Sequence, residues 1–250
     1  MKRPALSLIL FAGLVAAEGP DPEADGARIL NDLTAANAAK DSSKIDMLLR
    51  EVLDYAKGGK REETIEEFAA QLEESYKVCK GNWGTLRKIV EALGQLRSKK
   101  GARALKKIAF QREGQSKDEE EVQALAILAI SLMNDPKLVD PIIEQTKAKS
   151  LVVAKAAYEC LKNYAAAKGK VRRDIADELI KRLEAENPTA AQGGGVSAEQ
   201  QERFNQLKAT IVGSMQAICR QPTINDVENW REWWRENKKN SKADAWKDPE

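Results

Sequence analysis

VQALAILAISLMNDPKLVDPII, residues 122–143, holds two helices and the turn between them. Val122, Leu125, Ala126, Leu128, Ala129, Leu132 and Met133 recur at three- and four-residue steps, which predicts a helix apolar on most sides. Asn134-Asp135-Pro136 is the turn; Pro136 suits a first helical turn, where its missing N–H had no partner to lose. Leu138, Val139, Ile142 and Ile143 then form the stripe of a return helix. Pro141 leaves two readings for that helix, a start at Asp140 or a kink. Short helices of this kind cannot bury their stripes alone and must pack on one another.

Similar pairs lie on both sides. Asn82 is placed to cap a helix bearing Leu86, Ile89, Val90, Leu93 and Leu96, and after a break at Ser98–Gly101 come Ala102, Leu105, Ile108 and Ala109. Setting Ala92 against Ala129, an offset of 37 residues, also puts Leu93 on Ile130 and Leu105 on Ile142. A looser copy follows, with Leu151, Val153, Ala154, Ala157, Tyr158 and Leu161 on one helix and Val171, Ile175, Leu179 and Leu183 on its return. Helix pairs at a period near 37 predict an all-α chain built as a short helical-repeat solenoid, each unit contacting mainly its neighbours. Leu93, Leu105, Ile130, Ile142, Leu161 and Leu179 are its expected core.

Helical stripes continue outside the repeats. One runs from about Ala27 to Ala38; a second, capped by Asp41 or Ser42, carries Ile45, Leu48, Leu49, Val52 and Tyr55 and ends at Gly58-Gly59, where a left-handed cap is expected. A third starts near Glu62 with Ile65, Phe68, Ala69, Leu72 and Tyr76. Residues 187–197 contain three consecutive glycines and read as a linker. Beyond it, residues 198–220 carry Phe204, Leu207, Ile211, Met215 and Ile218, a stripe expected to dock on the end of the solenoid. The expected organisation is an export signal over 1–17, a flexible leader over 18–26, a repeat domain over 27–186, the linker over 187–197 and a helical cap over 198–250.

The signal rests on Lys2 and Arg3, an apolar run from Ala5 to Val15, and small residues at Val15 and Ala17. That run is too short to span a bilayer as a helix, so the expected location is periplasmic or secreted, with no integral membrane segment after cleavage. Lys and Arg number 41 and Asp and Glu 39. Removal of Lys2 and Arg3 leaves the two signs equal, and a balanced chain has no long-range pull on a nucleic-acid backbone. No nucleic-acid partner is expected. Cys79, Cys160 and Cys219 leave at least one free thiol in any monomer; Cys160 sits on an apolar helix face, and a Cys79–Cys219 bridge would staple the helices before the core to those after it.

The chain has no histidine. That excludes a Ser-His-Asp or Cys-His arrangement and removes the commonest zinc ligand. A paired-carboxylate enzyme needs none, and its candidate acids are Asp118–Glu121, Asp174 with Glu178, and Glu66 with Glu67. All lie on polar helix faces or at helix starts, where acids favour the dipole without any function. Lys99–Lys107 and Lys168–Arg173 are candidate polyanion contacts, and with acids nearby they also fit a solvated edge.

The last element supplies the candidate interaction surface: Trp230, Trp233, Trp234 and Trp246 with Arg231 and Arg235. The steps from Trp230 to Trp233 and Trp234 bring three rings to one face. They either pack as a cap over the last repeats or form an exposed platform for a peptide, glycan or other protein. Thr223 or Asn225 is placed to cap the helix, and Glu228, Glu232 and Glu236 share it with the basic residues.

Leu86–Ile108, Val122–Ile143 and Val153–Leu183 together resemble HEAT-like repeats. The segment TINDVENWREWWRENK, residues 223–238, followed by Trp246, resembles the end of exported HEAT-repeat proteins of planctomycete-type bacteria, in which Trp-x-x-Trp-Trp-x-x-Asn closes the repeat domain. The resemblance implies a scaffold or protein-binding role in the cell envelope, with a concave face lined by the second helix of each pair. It supplies no catalytic and no cofactor position. A carboxylate-dependent enzyme or enzyme accessory, and a polyanion- or glycan-binding module, are the alternatives.

Overall fold

The computed structural model describes residues 22–58, 61–111, 116–188, 197–239 and 244–248. The expected signal, residues 18–21 of the expected leader and the glycine run lie outside them. Among the described residues the chain is all-helical: α1 (Pro22–Ala39), α2 (Ser42–Lys57), α3 (Glu62–Val78), α4 (Trp83–Leu96), α5 (Lys99–Ala109), α6 (Lys117–Ser131), α7 (Val139–Gln145), α8 (Leu151–Lys162), α9 (Gly169–Glu186), α10 (Ala198–Cys219) and α11 (Val227–Asn237).

These helices alternate between two layers. In one, α2, α4, α6, α8 and α10 stack in chain order. In the other, α1 packs on α3 and α3 on α5, and α9 lies between α7 and α11. Most helices also pack on their chain neighbours, which joins the layers through a single core running from Ile29 to Trp246. This is a helical-repeat solenoid. Leu93, Leu105, Ile130, Ile142 and Leu161 have no exposed surface and Leu179 has 1%.

Local signals set most element ends. Asp41 accepts a hydrogen bond from Lys44 N–H at 2.9 Å, and Asn82 one from Thr85 N–H at 3.4 Å, each satisfying a donor that the first turn leaves unpaired. Pro136 opens a single 3₁₀ turn, Pro136–Leu138, and Pro141 falls in the first turn of α7, so the return helix begins beside it and is not kinked by it.

Several ends differ from expectation. α1 begins at Pro22, so residues 22–26 are helix and not leader: proline suits a helix start, and Glu23 and Asp25 favour the first turn. Gly58 closes α2 at φ −72°, outside the left-handed region. Lys40, Arg97, Asn134 and Arg220 take that conformation instead, with φ between 48° and 55°. α10, by contrast, stacks on α8 and α9 at the end of the solenoid, where its stripe was expected to dock. All three cysteines are free and buried, so Cys79 and Cys219 form no bridge. Cys79 closes α3, packed on α1, α4 and α5, whereas Cys219 closes α10, packed on α8 and α9.

Candidate interaction surface

α11 is capped by Asp226, which accepts from Asn229 N–H at 2.8 Å; neither Thr223 nor Asn225 caps it. Its indoles turn inward. Trp230 is fully buried, Trp234 and Trp246 are 7% and 5% exposed, and Trp233 is half-buried. Trp233 meets Trp230 edge-on at 5.6 Å between centroids and contacts Trp246 at 5.9 Å, while Trp234 meets Trp246 edge-on at 6.0 Å. Such edge contacts set the positive ring edge against the negative face. Trp246 Nε1 donates to the Asn237 carbonyl at 3.1 Å, and Asn237 Nδ2 to that of Trp233 at 2.8 Å. Of the two readings, the rings follow the cap: the spacing brings them to one face, and that face belongs to the core.

Arg172 fixes this cap in place. Fully buried, its guanidinium donates to the carbonyls of Ala167 at 3.1 Å, Ile218 at 3.3 Å, Ala245 at 2.5 Å and Lys247 at 2.6 Å. Those acceptors lie before α9, in α10 and in the segment after α11, so one side chain ties three parts of the chain together. Burial, and then the nearby Arg220, lowers its pKa from the ordinary arginine value. Asp248 accepts from Gly169 N–H at 2.6 Å, at the positive end of α9.

On the outer side of the cap, α7, α9 and α11 enclose a groove. One part, of about 460 Å³, is lined by Asp140, Ile143, Arg173, Asp174, Glu178 and Lys239, and an adjoining part of about 310 Å³ by Ile180, Lys181, Glu184, Arg231 and Arg235. Asp177, Trp234 and Lys238 line both. Lys181 pairs with Asp177 and Glu178, each at 2.7 Å, and Arg231 with Glu184 at 2.9 Å. Hydrogen bonds to Asp177 and Glu178 raise the pKa of Lys181, and that to Glu184 raises Arg231. Arg173, Arg235, Lys238, Asp140 and Asp174 have no ion-pair partner among the described residues. Of the expected surface residues, the groove therefore uses Arg231, Arg235 and an edge of Trp234.

The other candidate clusters are tied into the fold. Glu66 accepts from the N–H groups of Lys99 and Lys100 at 2.6 and 2.7 Å, capping α5 from α3. Lys107 pairs with Glu73, and Arg87 with Asp118 at 2.7 Å and with Glu121. No cluster of three or more metal-ligating side chains occurs among the described residues, and none of their helices is long and apolar enough to cross a membrane.

No protein-family model matches the chain, and no curated protein matches it. Among solved structures it is similar to an engineered protein whose crystal structure was determined as a structural-genomics target, at 17% identity and a TM-score of 0.41, over 86% of this chain and 96% of that one.

Proposed function

We propose that this protein is a non-catalytic interaction module of the cell envelope, which binds another protein in the groove between α7, α9 and α11. The groove carries the proposal. It sets unpaired charges of both signs around a tryptophan edge, and its central helix, α9, carries the Arg172 clamp. Arg235, Lys238 and Arg173 supply cations free to meet carboxylates, and Asp140 and Asp174 supply anions free to meet Lys or Arg. A protein surface offers both signs within a few ångströms. A polyanion would meet Asp140 and Asp174 unfavourably, because like charges brought together oppose binding.

Export is part of the proposal and rests on the sequence of residues 1–17 alone. The test is a double charge reversal, Arg235→Glu with Lys238→Glu. Both residues are exposed, so unfolding free energy should stay within about 0.5 kcal/mol of wild type. Retention of a stoichiometric protein partner from envelope extract should be lost in the variant. Equal retention by both forms would remove the groove from the account.

A further inference from the structure

Residues 244–248 sit in a cradle made of the parts that peptide-recognition sites use. Arg172 donates to two of their backbone carbonyls, those of Ala245 and Lys247. The indole of Trp246 contacts Trp233 and Trp234, and its Nε1 donates to the Asn237 carbonyl. The Asp248 carboxylate accepts from Gly169 N–H, where the first turn of α9 favours an anion. Position 169 must also be bare. A Cβ there would lie 1.8 Å from the Trp246 carbonyl oxygen, so that oxygen fits only against glycine.

Half of the cradle does not depend on its occupant. Arg172 is also held by the Ala167 and Ile218 carbonyls, two partners outside the segment. Gly169 and its N–H belong to α9, and Trp233 and Trp234 to α11. The site is therefore partly preformed, which lowers the ordering cost that a ligand must meet.

We infer that this cradle is a peptide-binding site for a segment in which an indole is followed two residues later by a carboxylate. Residues 245–248 occupy it as a tethered ligand, and a free segment of the same chemistry displaces them. Tethering gives the chain's own segment an effective concentration of order millimolar, so a free competitor binds the wild-type protein poorly. The site shares Trp234 with the outer groove and does not rest on the groove's proposed role.

The experiment titrates a fluorescein-labelled peptide with the sequence of residues 242–250 into the full-length protein and into full-length variants. Trp246→Ala removes the anchor of the tethered segment and leaves the cradle open; it should bind the peptide about tenfold more tightly than wild type, or better. Gly169→Ala also frees the segment but fills the place of the Trp246 carbonyl, and should bind no better than wild type. Asp248→Ala keeps every ring, gives a smaller gain, and serves in place of Trp246→Ala should that variant fail to fold. A peptide carrying alanine in place of the indole should bind none of them. Absence of any gain in both opening variants, or an equal gain in Gly169→Ala, overturns the inference.

Discussion

Arg172 carries a full charge with no exposed surface, and backbone carbonyls are its hydrogen-bond partners. Removing it strands those acceptors, and a buried polar group left unpaired costs about 1–3 kcal/mol. Arg172→Leu should therefore lower the unfolding free energy by about 3 kcal/mol or more in urea titration. Arg172→Lys should recover little, since one ammonium cannot span carbonyls from three segments. In the sequence this residue lies within Lys168–Arg173, a stretch that reads as a charged edge. Its step of three to Ile175 and of four to Ala176 puts it on the buried stripe of α9, and that periodicity was the available signal. The thiols are legible in part: the Cys160 face marks it as buried, while the burial of Cys79 and Cys219 depends on how helix ends pack. Burial pushes the Cys160 thiol up to about 12 and raises the other two. Folded protein at pH 8 should resist a thiol reagent at all three sites, and unfolding in guanidinium should expose all three. The same shift makes stability fall with alkali. Above the ordinary thiol value of 9.0 the unfolded chain loses protons that the folded chain keeps, so unfolding free energy should decline as pH rises from 9 towards 12.

At the scale of elements, stripe and cap were the readable features. Leu93, Ile130 and Leu161 occupy the cores of α4, α6 and α8, and truncating any one to alanine should cost about 2–5 kcal/mol. A variant with an unchanged denaturation midpoint would show that the stripe lies elsewhere. Close approach is also set locally, because a Cβ at Gly94 of α4 would lie 2.9 Å from that of Ala129 of α6. Helix ends were less legible. Thr223, Asn225 and Asp226 are all good cap residues, and burial of Val227 in the core selects the last. The left-handed residues ending α1, α4 and α10 are Lys40, Arg97 and Arg220, where propensity favours glycine. Arg97→Gly should therefore stabilise the protein by up to about 1 kcal/mol, measured by thermal unfolding.

For the whole molecule, repeat offset and apolar stripes convey the all-α solenoid but not its extent. Residues 82–183 carry the regular copies, yet α2 and α10 lie in the same layer as α4, α6 and α8. Their units differ in length from the central ones, so a search for one period passes over them. A glycine run reads as a boundary on composition alone, although the helix after it completes the stack. The groove was least legible, because it joins side chains from α7, α9 and α11 that lie far apart in the chain. Of its lining, Arg231, Arg235 and Trp234 stood out in sequence as one surface, while Arg173, Asp174 and Glu178 stood out only as separate candidates. The most direct measurement is affinity capture from envelope extract with the wild-type protein and with the Arg235→Glu, Lys238→Glu variant side by side. The account predicts one protein retained in stoichiometric amount by the wild type and absent from the variant; no retained protein, or equal retention by both, would contradict it.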